Sequence, residues 1–139
     1  MRNRCFATLG LLTLLATTSA FGQLQADIPF EFHVGATVMP AGQYYVGQPS
    51  DNHRQLLSFD CYECQAKMMV QTIPIIGSID VHTTDRLVFR KYGDTYFLAE
   101  VWSSASAAGN SLPKSKTEGE ISRHASRAQM SQVVLAARR

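Results

Sequence analysis

The clearest pattern in this chain is the alternation of apolar and polar side chains over residues 27–34. Every second position there is apolar, at Ile28, Phe30, Phe32 and Val34. A period of two predicts a strand with one buried face. Pro29 lies within this run and has no N–H to donate to a neighbour, which favours the start of a strand or the edge of a sheet.

Several further strands are predicted in pairs. Pro40-Ala41-Gly42 predicts a turn before a Tyr/Val-rich strand at 43–47. Apolar runs at 54–59 and 65–72 predict a hairpin whose connection contains Cys61 and Cys64. The strongest hairpin spans residues 86–102, because both arms are aromatic and β-branched and the turn between them contains a glycine.

The remaining segments have weaker patterns. Residues 47–53 and 103–111 are predicted to be a loop and a linker, and 73–85 a loop with one short strand around Ile79 and Val81. Residues 117–127 predict a short helix, and 132–137 favour a last strand. The fold class is therefore all-β, a mainly antiparallel small sandwich or partly open barrel of about six to eight strands, with a short C-terminal helix.

The N-terminal segment has the composition of an export signal. Arg2 and Arg4 precede an apolar run at 9–16, and Ala20-Phe21-Gly22 places small residues at the positions that a signal peptidase reads. This run is too short to span a bilayer, and no second long apolar segment follows. We expect a signal peptide at 1–22, no transmembrane segment in the mature chain, and a mature protein in the periplasm or outside the cell.

Charge divides the mature chain into two parts. Cleavage after Gly22 removes 22 of 139 residues and leaves 117, the size of one domain. Residues 23–113 contain five basic and nine acidic side chains, whereas residues 114–139 contain six basic and two acidic ones. We therefore expect a β-rich domain at 23–113 and a basic C-terminal segment at 114–139 that docks on it or stays solvated. Nucleic acid is not an expected partner, since the positive charges are few and lack aromatic neighbours.

Two cysteines remain after export, because Cys5 lies in the predicted signal. In an oxidising compartment, Cys61 and Cys64 are expected to form a disulfide. Their spacing also matches a thiol oxidoreductase motif, but the residues that follow are strand-like and do not predict the helix that would stabilise a thiolate. A metal site is a third alternative, with Cys61, Cys64 and His53 as candidate ligands.

No other motif assigns a reaction to this chain. Its histidines are scattered, at His33, His53, His82 and His124, and no hydrolase, zinc-protease or phosphate-loop motif occurs. We therefore expect no catalytic residue and no cofactor. Tyr44 and Tyr45 are candidate ligand-binding aromatics, because adjacent residues in a strand point to opposite faces and one ring must point outward.

Three segments together resemble a group of small exported proteins of soil bacteria. They are IPFEFHVGATVMPAGQYYV at 28–46, RLVFRKYGDTYFLAEVW at 86–102 and LPKSKTEGE at 112–120. The resemblance covers roughly 50 of the 117 mature residues and implies export and a β-rich domain. It supplies no activity and no catalytic residue. The chain differs from the group where an Asp-Gly turn is usual and Cys-Tyr-Glu-Cys stands instead.

The sequence thus favours a non-enzymatic exported module that binds a protein partner or a component of the envelope through its sheet surface. The alternative is a thiol-disulfide or metal-dependent activity centred on Cys61 and Cys64. The two hypotheses differ in the expected reactivity of this cysteine pair.

Overall fold

The computed structural model describes residues 23–50, 52–77, 85–104 and 108–138. The predicted signal peptide, the expected strand at Ile79 and Val81, and His82 lie outside these ranges. The strands in chain order are β1 (Leu24–Ile28), β2 (Phe32–Val34), β3 (Thr37–Met39), β4 (Gly42–Gly47), β5 (Leu56–Cys61), β6 (Ala66–Gln71), β7 (Ile73–Ile76), β8 (Arg86–Tyr92), β9 (Thr95–Trp102), β10 (Ala108–Ser111) and β11 (Met130–Ala136). One helix, α1 (Lys116–His124), and a 3₁₀ turn at Arg127–Gln129 precede β11.

The strands form two sheets that are not closed into a barrel. The first sheet has the order β1-β4-β5-β6, and all of its pairings are antiparallel. The second sheet has the order β11-β8-β9-β10-β7, and β2 joins β9 through one parallel pair, His33 with Phe97. The predicted all-β fold with a short C-terminal helix is confirmed, although the described residues contain more strands than the sequence predicts.

One hydrophobic core lies between the two sheets. Its fully buried members include Tyr44 and Phe59 from the first sheet and Leu87 and Phe89 from the second. Phe32 contacts the rings of both Tyr44 and Phe89, at centroid distances of 5.2 and 5.5 Å. These edge-to-face contacts join the two sheets and bury large apolar areas, which is the main stabilising contribution to a small domain.

The alternating segment at the start of the chain is two strands and not one. β1 belongs to the first sheet and β2 pairs in the second, so the chain crosses between the sheets at residues 29–31. Pro29 lies at this crossing, where its missing N–H breaks no ladder. The burial alternation of Ile28, Phe32 and Val34 continues across the break because both strands face the same core.

Two strands occupy segments that the sequence assigns to a loop and a linker. β7 contains Pro74, and β10 contains Gly109. β7 is an outer strand of the second sheet, a position that tolerates a residue without an N–H. Gly109 lies against the Trp102 ring, so closely that a Cβ atom built on it would be 2.5 Å from Trp102 Cε3. The absence of a side chain is therefore what allows β10 to pair with β9.

The basic C-terminal segment is part of the second sheet. β11 pairs with β8 over seven residues, from Met130 opposite Tyr92 to Ala136 opposite Arg86. Beyond it, the backbones of Gln25 and Arg138 exchange hydrogen bonds of 2.6 and 2.9 Å. This pairing links the outer strand of the first sheet to the outer strand of the second. No helix among the residues described here is long and apolar enough to cross a membrane.

Candidate functional site

The sulfur atoms of Cys61 and Cys64 lie at bonding distance, at the end of the β5–β6 hairpin. Their Cα atoms are 5.5 Å apart. Cys61 is buried and Cys64 is half-buried, and the chain continues into β6 and not into a helix. The pair therefore lacks the exposed helix N-terminus that lowers a thiol pKa in redox proteins. The disulfide therefore has the position of a structural cross-link that closes the end of the β5–β6 hairpin.

A close approach of backbone fixes the position of this disulfide. A Cβ atom built on Gly42 would lie 3.0 Å from Cys61 Sγ and 3.3 Å from Cys64 Sγ. The start of β4 therefore packs directly against the two sulfur atoms, which a larger residue at position 42 would displace. The disulfide thus closes its own loop and also packs against the neighbouring strand β4.

Of the two candidate aromatics, Tyr44 is fully buried and only Tyr45 points outward. The Tyr44 hydroxyl donates a 2.6 Å hydrogen bond to the Pro40 carbonyl, and its oxygen lies 3.8 Å from Cys64 Sγ. Burial raises the pKa of the Tyr44 phenol above its ordinary value. The expectation that Tyr44 can belong to an exposed binding surface is therefore wrong, since β4 turns that ring into the core.

The outer face of the first sheet carries the best candidate for a binding surface. We call it the outer patch and define it by Tyr45, Asp60, Tyr62 and Lys67. Tyr62 is 71% exposed, and its ring centroid lies 5.3 Å from that of Tyr45. Asp60 pairs with Tyr45 on one side and with Lys67 on the other, and the Lys67 ammonium lies 3.4 Å from its carboxylate. The patch combines an ion pair with an aromatic pair, and aromatic residues are enriched in protein-binding surfaces.

The candidate metal ligands are not brought together. His53 precedes the start of β5, whereas Cys61 is the last residue of β5 and Cys64 lies beyond it, so about 15–20 Å of strand separates His53 from the cysteines. Both cysteines are already bonded to each other. Among the described residues, no group of three or more His, Cys, Asp and Glu side chains has the arrangement of a metal site. His33 is stacked on Phe97, with the ring centroids 4.4 Å apart.

A buried ionic cluster joins helix α1 to the second sheet, and the sequence gives little sign of it. Glu118 is 2% exposed, and its carboxylate accepts hydrogen bonds from the Arg90 guanidinium and from the Tyr92 hydroxyl, the latter at 3.0 Å. Arg90 also donates to the Leu112 carbonyl at 3.2 Å. The only local signal is Ser115 three residues before Glu118, which caps the helix by accepting the Glu118 N–H.

This cluster is closed to ligands. The charged and polar groups of the cluster are hydrogen-bonded to one another. Beside it lies an open groove of about 450 Å³, which Ile121 and His124 of the helix line together with Tyr92. A second open groove of about 450 Å³ lies along His53 and Arg54 at the start of β5. Both are wide and open, unlike the enclosed sites that bury most of a small ligand.

Comparison with protein-family models, curated proteins and solved structures finds no match for this chain. The function is therefore inferred from the chain's own residues and their arrangement.

Proposed function

We propose that the chain is exported and works outside the cytosol as a small β-rich binding module, which engages a protein or another envelope component through the outer patch. The observation that carries the proposal is the Tyr45–Tyr62 pair on the outer face, next to the Asp60–Lys67 ion pair. The Cys61–Cys64 disulfide closes the hairpin turn that contains Tyr62. The sequence resemblance to small exported bacterial proteins supports the same compartment and is part of the proposal.

The position of Tyr62 supports a binding role over a packing role. A side chain as exposed as that of Tyr62 makes few of the apolar contacts that an aromatic ring makes in a core. Aromatic residues are enriched in the surfaces through which proteins bind each other. The residue lies between two cysteines whose bond restricts the loop. A restricted loop loses less conformational freedom when a partner orders it, so its contacts contribute more to affinity.

Export is tested on the full chain produced in a bacterium. We expect the protein in the periplasmic or extracellular fraction, with Gln23 as its first residue by N-terminal sequencing and with Cys61 and Cys64 oxidised. An unprocessed chain that stays in the cytosolic fraction would overturn this part of the proposal.

Binding is tested by sedimenting the purified exported protein with isolated bacterial envelopes. We expect Tyr62→Ser to lower the bound fraction at least several-fold, because truncating an aromatic anchor typically weakens binding strongly. Val134→Ser is the matched control, since Val134 is 57% exposed on β11 of the other sheet, and it should bind like the unaltered protein. Equal binding by all three proteins, or no binding by any, would contradict the outer patch as the binding surface.

A third measurement separates this proposal from thiol-disulfide chemistry. We expect the Cys61–Cys64 bond to resist reduction by glutathione in the folded protein, because Cys61 is buried and the bond packs on Gly42. Fast exchange with glutathione would favour the redox alternative instead.

A further inference from the structure

We propose that two copies of this chain pair through β6 in a closed antiparallel dimer centred on Met69. β6 is an outer strand of the first sheet, paired with β5 on one side and with no other described strand on its second side. The opposite edge of this sheet is partly occupied, because the backbone of Gln25 in β1 exchanges two hydrogen bonds with Arg138. β6 is therefore the edge at which a further strand can be added.

The hydrogen-bond pattern shows which residues of β6 face the open side. The Thr72 N–H donates to the Gln55 carbonyl at 2.7 Å, on the β5 side. Backbone groups in an antiparallel pair alternate in direction, and the β5–β6 register has no shift. The N–H and C=O groups of Lys67, Met69 and Gln71 therefore point away from β5.

A two-fold axis at Met69 uses all three of these residues. It places Met69 opposite Met69 of the second copy and Lys67 opposite Gln71, which gives about six main-chain hydrogen bonds across the interface. An axis at Met68 would give about four, because Gln65 has a left-handed backbone, with φ of +54°, and cannot extend the strand. An axis at Lys67 would place two ammonium groups opposite each other.

The side chains are compatible with this register on both faces of the sheet. Met69, half exposed in the single copy, packs on itself at the axis. Lys67 faces an uncharged amide and keeps its own partner, Asp60. On the inner face Met68 lies opposite Val70, and both already pack against the core. The pairing therefore extends the apolar layer of each copy and opposes no like charges.

The pairing also ends by itself. Gln65 stops it at one end of β6, and Pro74 lacks an N–H beyond the other end. A two-fold contact uses the β6 edge of both copies and leaves neither β6 edge free for a third copy. A dimer is therefore the expected assembly, and not a fibre.

The test is sedimentation equilibrium of the purified exported protein. We expect a dimer that Met69→Lys weakens at least tenfold, because it places two positive charges at the axis. Val38→Lys is the matched control, because Val38 is 48% exposed and Met69 is 50% exposed. The Val38→Lys variant should dimerise like the unaltered protein. A monomer throughout the micromolar range, or equal dimerisation of Met69→Lys and Val38→Lys, would overturn the proposal.

A register test does not depend on the lysine variant folding. Cysteines at position 69 of the two copies would have Cα atoms about 5.5 Å apart, within the range of a disulfide. With a copper–phenanthroline oxidant and dioxygen as electron acceptor, we expect Met69→Cys to form a covalent dimer. Lys67→Cys should not form one, because the Cα atoms of residue 67 in the two copies would lie about 14 Å apart. Equal cross-linking of both variants, or none for Met69→Cys, would contradict this register.

The dimer and the proposed envelope binding can be tested separately, although Lys67 belongs to both surfaces. Tyr62 lies outside β6, so Tyr62→Ser should leave the dimer intact while it weakens sedimentation with envelopes. A protein that binds envelopes but stays monomeric would contradict the dimer alone, and a dimer that does not bind would contradict the proposed function alone.

Discussion

The carboxylate of Glu118 is the group that fixes helix α1 on the second sheet. It is buried and accepts hydrogen bonds from Arg90 and Tyr92. We expect Glu118→Gln to lower the free energy of unfolding by about 2–4 kcal/mol, because it leaves the partly buried Arg90 without its counter-charge. Glu120→Gln changes an exposed carboxylate of the same helix and should stay within about 0.5 kcal/mol of the unaltered protein. Urea titrations measure both, and equal effects would contradict the assigned role.

The same cluster makes stability sensitive to alkaline pH. Burial, and then the hydrogen bond to Glu118 and its charge, raise the pKa of Tyr92 above the ordinary value of 10.0. Between the pKa values of the unfolded and folded chain, the folded state binds more protons, so stability falls as pH rises. The contribution is complete below about pH 10 and is lost through the folded pKa.

Tyr92→Phe tests this dependence, because phenylalanine has no phenol to ionise. We expect its stability to fall less steeply above about pH 10 than that of the unaltered protein. Tyr62→Phe removes an exposed phenol and serves as the control, with an unchanged profile. Thermal unfolding at a series of pH values supplies the measurement, and identical slopes for all three proteins would refute the link.

At the scale of elements, β10 depends on the absence of a side chain at Gly109. A Cβ there would lie 2.5 Å from the Trp102 ring, so we expect Gly109→Ala to destabilise the protein by about 1–3 kcal/mol. Gly119 of helix α1 has nothing within 4 Å of the same position. Gly119→Ala should therefore stabilise the helix by up to about 1 kcal/mol. Opposite signs in thermal unfolding are the expected result, and a stabilising Gly109→Ala would show that β10 tolerates a side chain.

Elements with a local signature were predictable and those defined by a distant partner were not. The 86–102 hairpin has alternating apolar residues and a left-handed Gly93 at its turn, so its own sequence specifies it. β10 and the residues before it are rich in Ser, Ala and Gly, so the sequence predicts a linker there. The strand depends on the contact between Gly109 and the Trp102 ring, which the sequence does not show. β7 contains a proline that indicates a loop unless the strand is known to be outermost.

The candidate site follows the same division. Adjacent tyrosines in a strand must point to opposite faces, so the sequence predicts one outward ring but cannot say that it is Tyr45 and not Tyr44. The Cys61–Cys64 pairing is local and was predictable from the expected export and the spacing of the two cysteines. The sequence does not distinguish Tyr62 or Glu118, because the ring beside Tyr62 lies on β4 and the partners of Glu118 lie on β8.

At the scale of the whole molecule, the basic C-terminal segment completes the second sheet. Its strand β11 pairs with β8 along seven residues and covers one edge. We expect a chain that ends at Gln129 to lose cooperative unfolding, because β8 would then expose an unpaired edge and an apolar face. Circular dichroism during thermal unfolding measures this. A chain that ends at Ala137 retains β11 and is the control, which should still unfold cooperatively. Equal behaviour of the two shortened chains would contradict a structural role for β11.

The contact between Gln25 and Arg138 has a consequence for the order in which the molecule is completed. Residue 25 leaves the ribosome before residue 138 is made, so β1 lacks this neighbour until residue 138 has been added. The hydrophobic layer between the sheets stays incomplete for that whole interval. We therefore expect the chain to complete its two-sheet fold only after β11 and Arg138 have emerged.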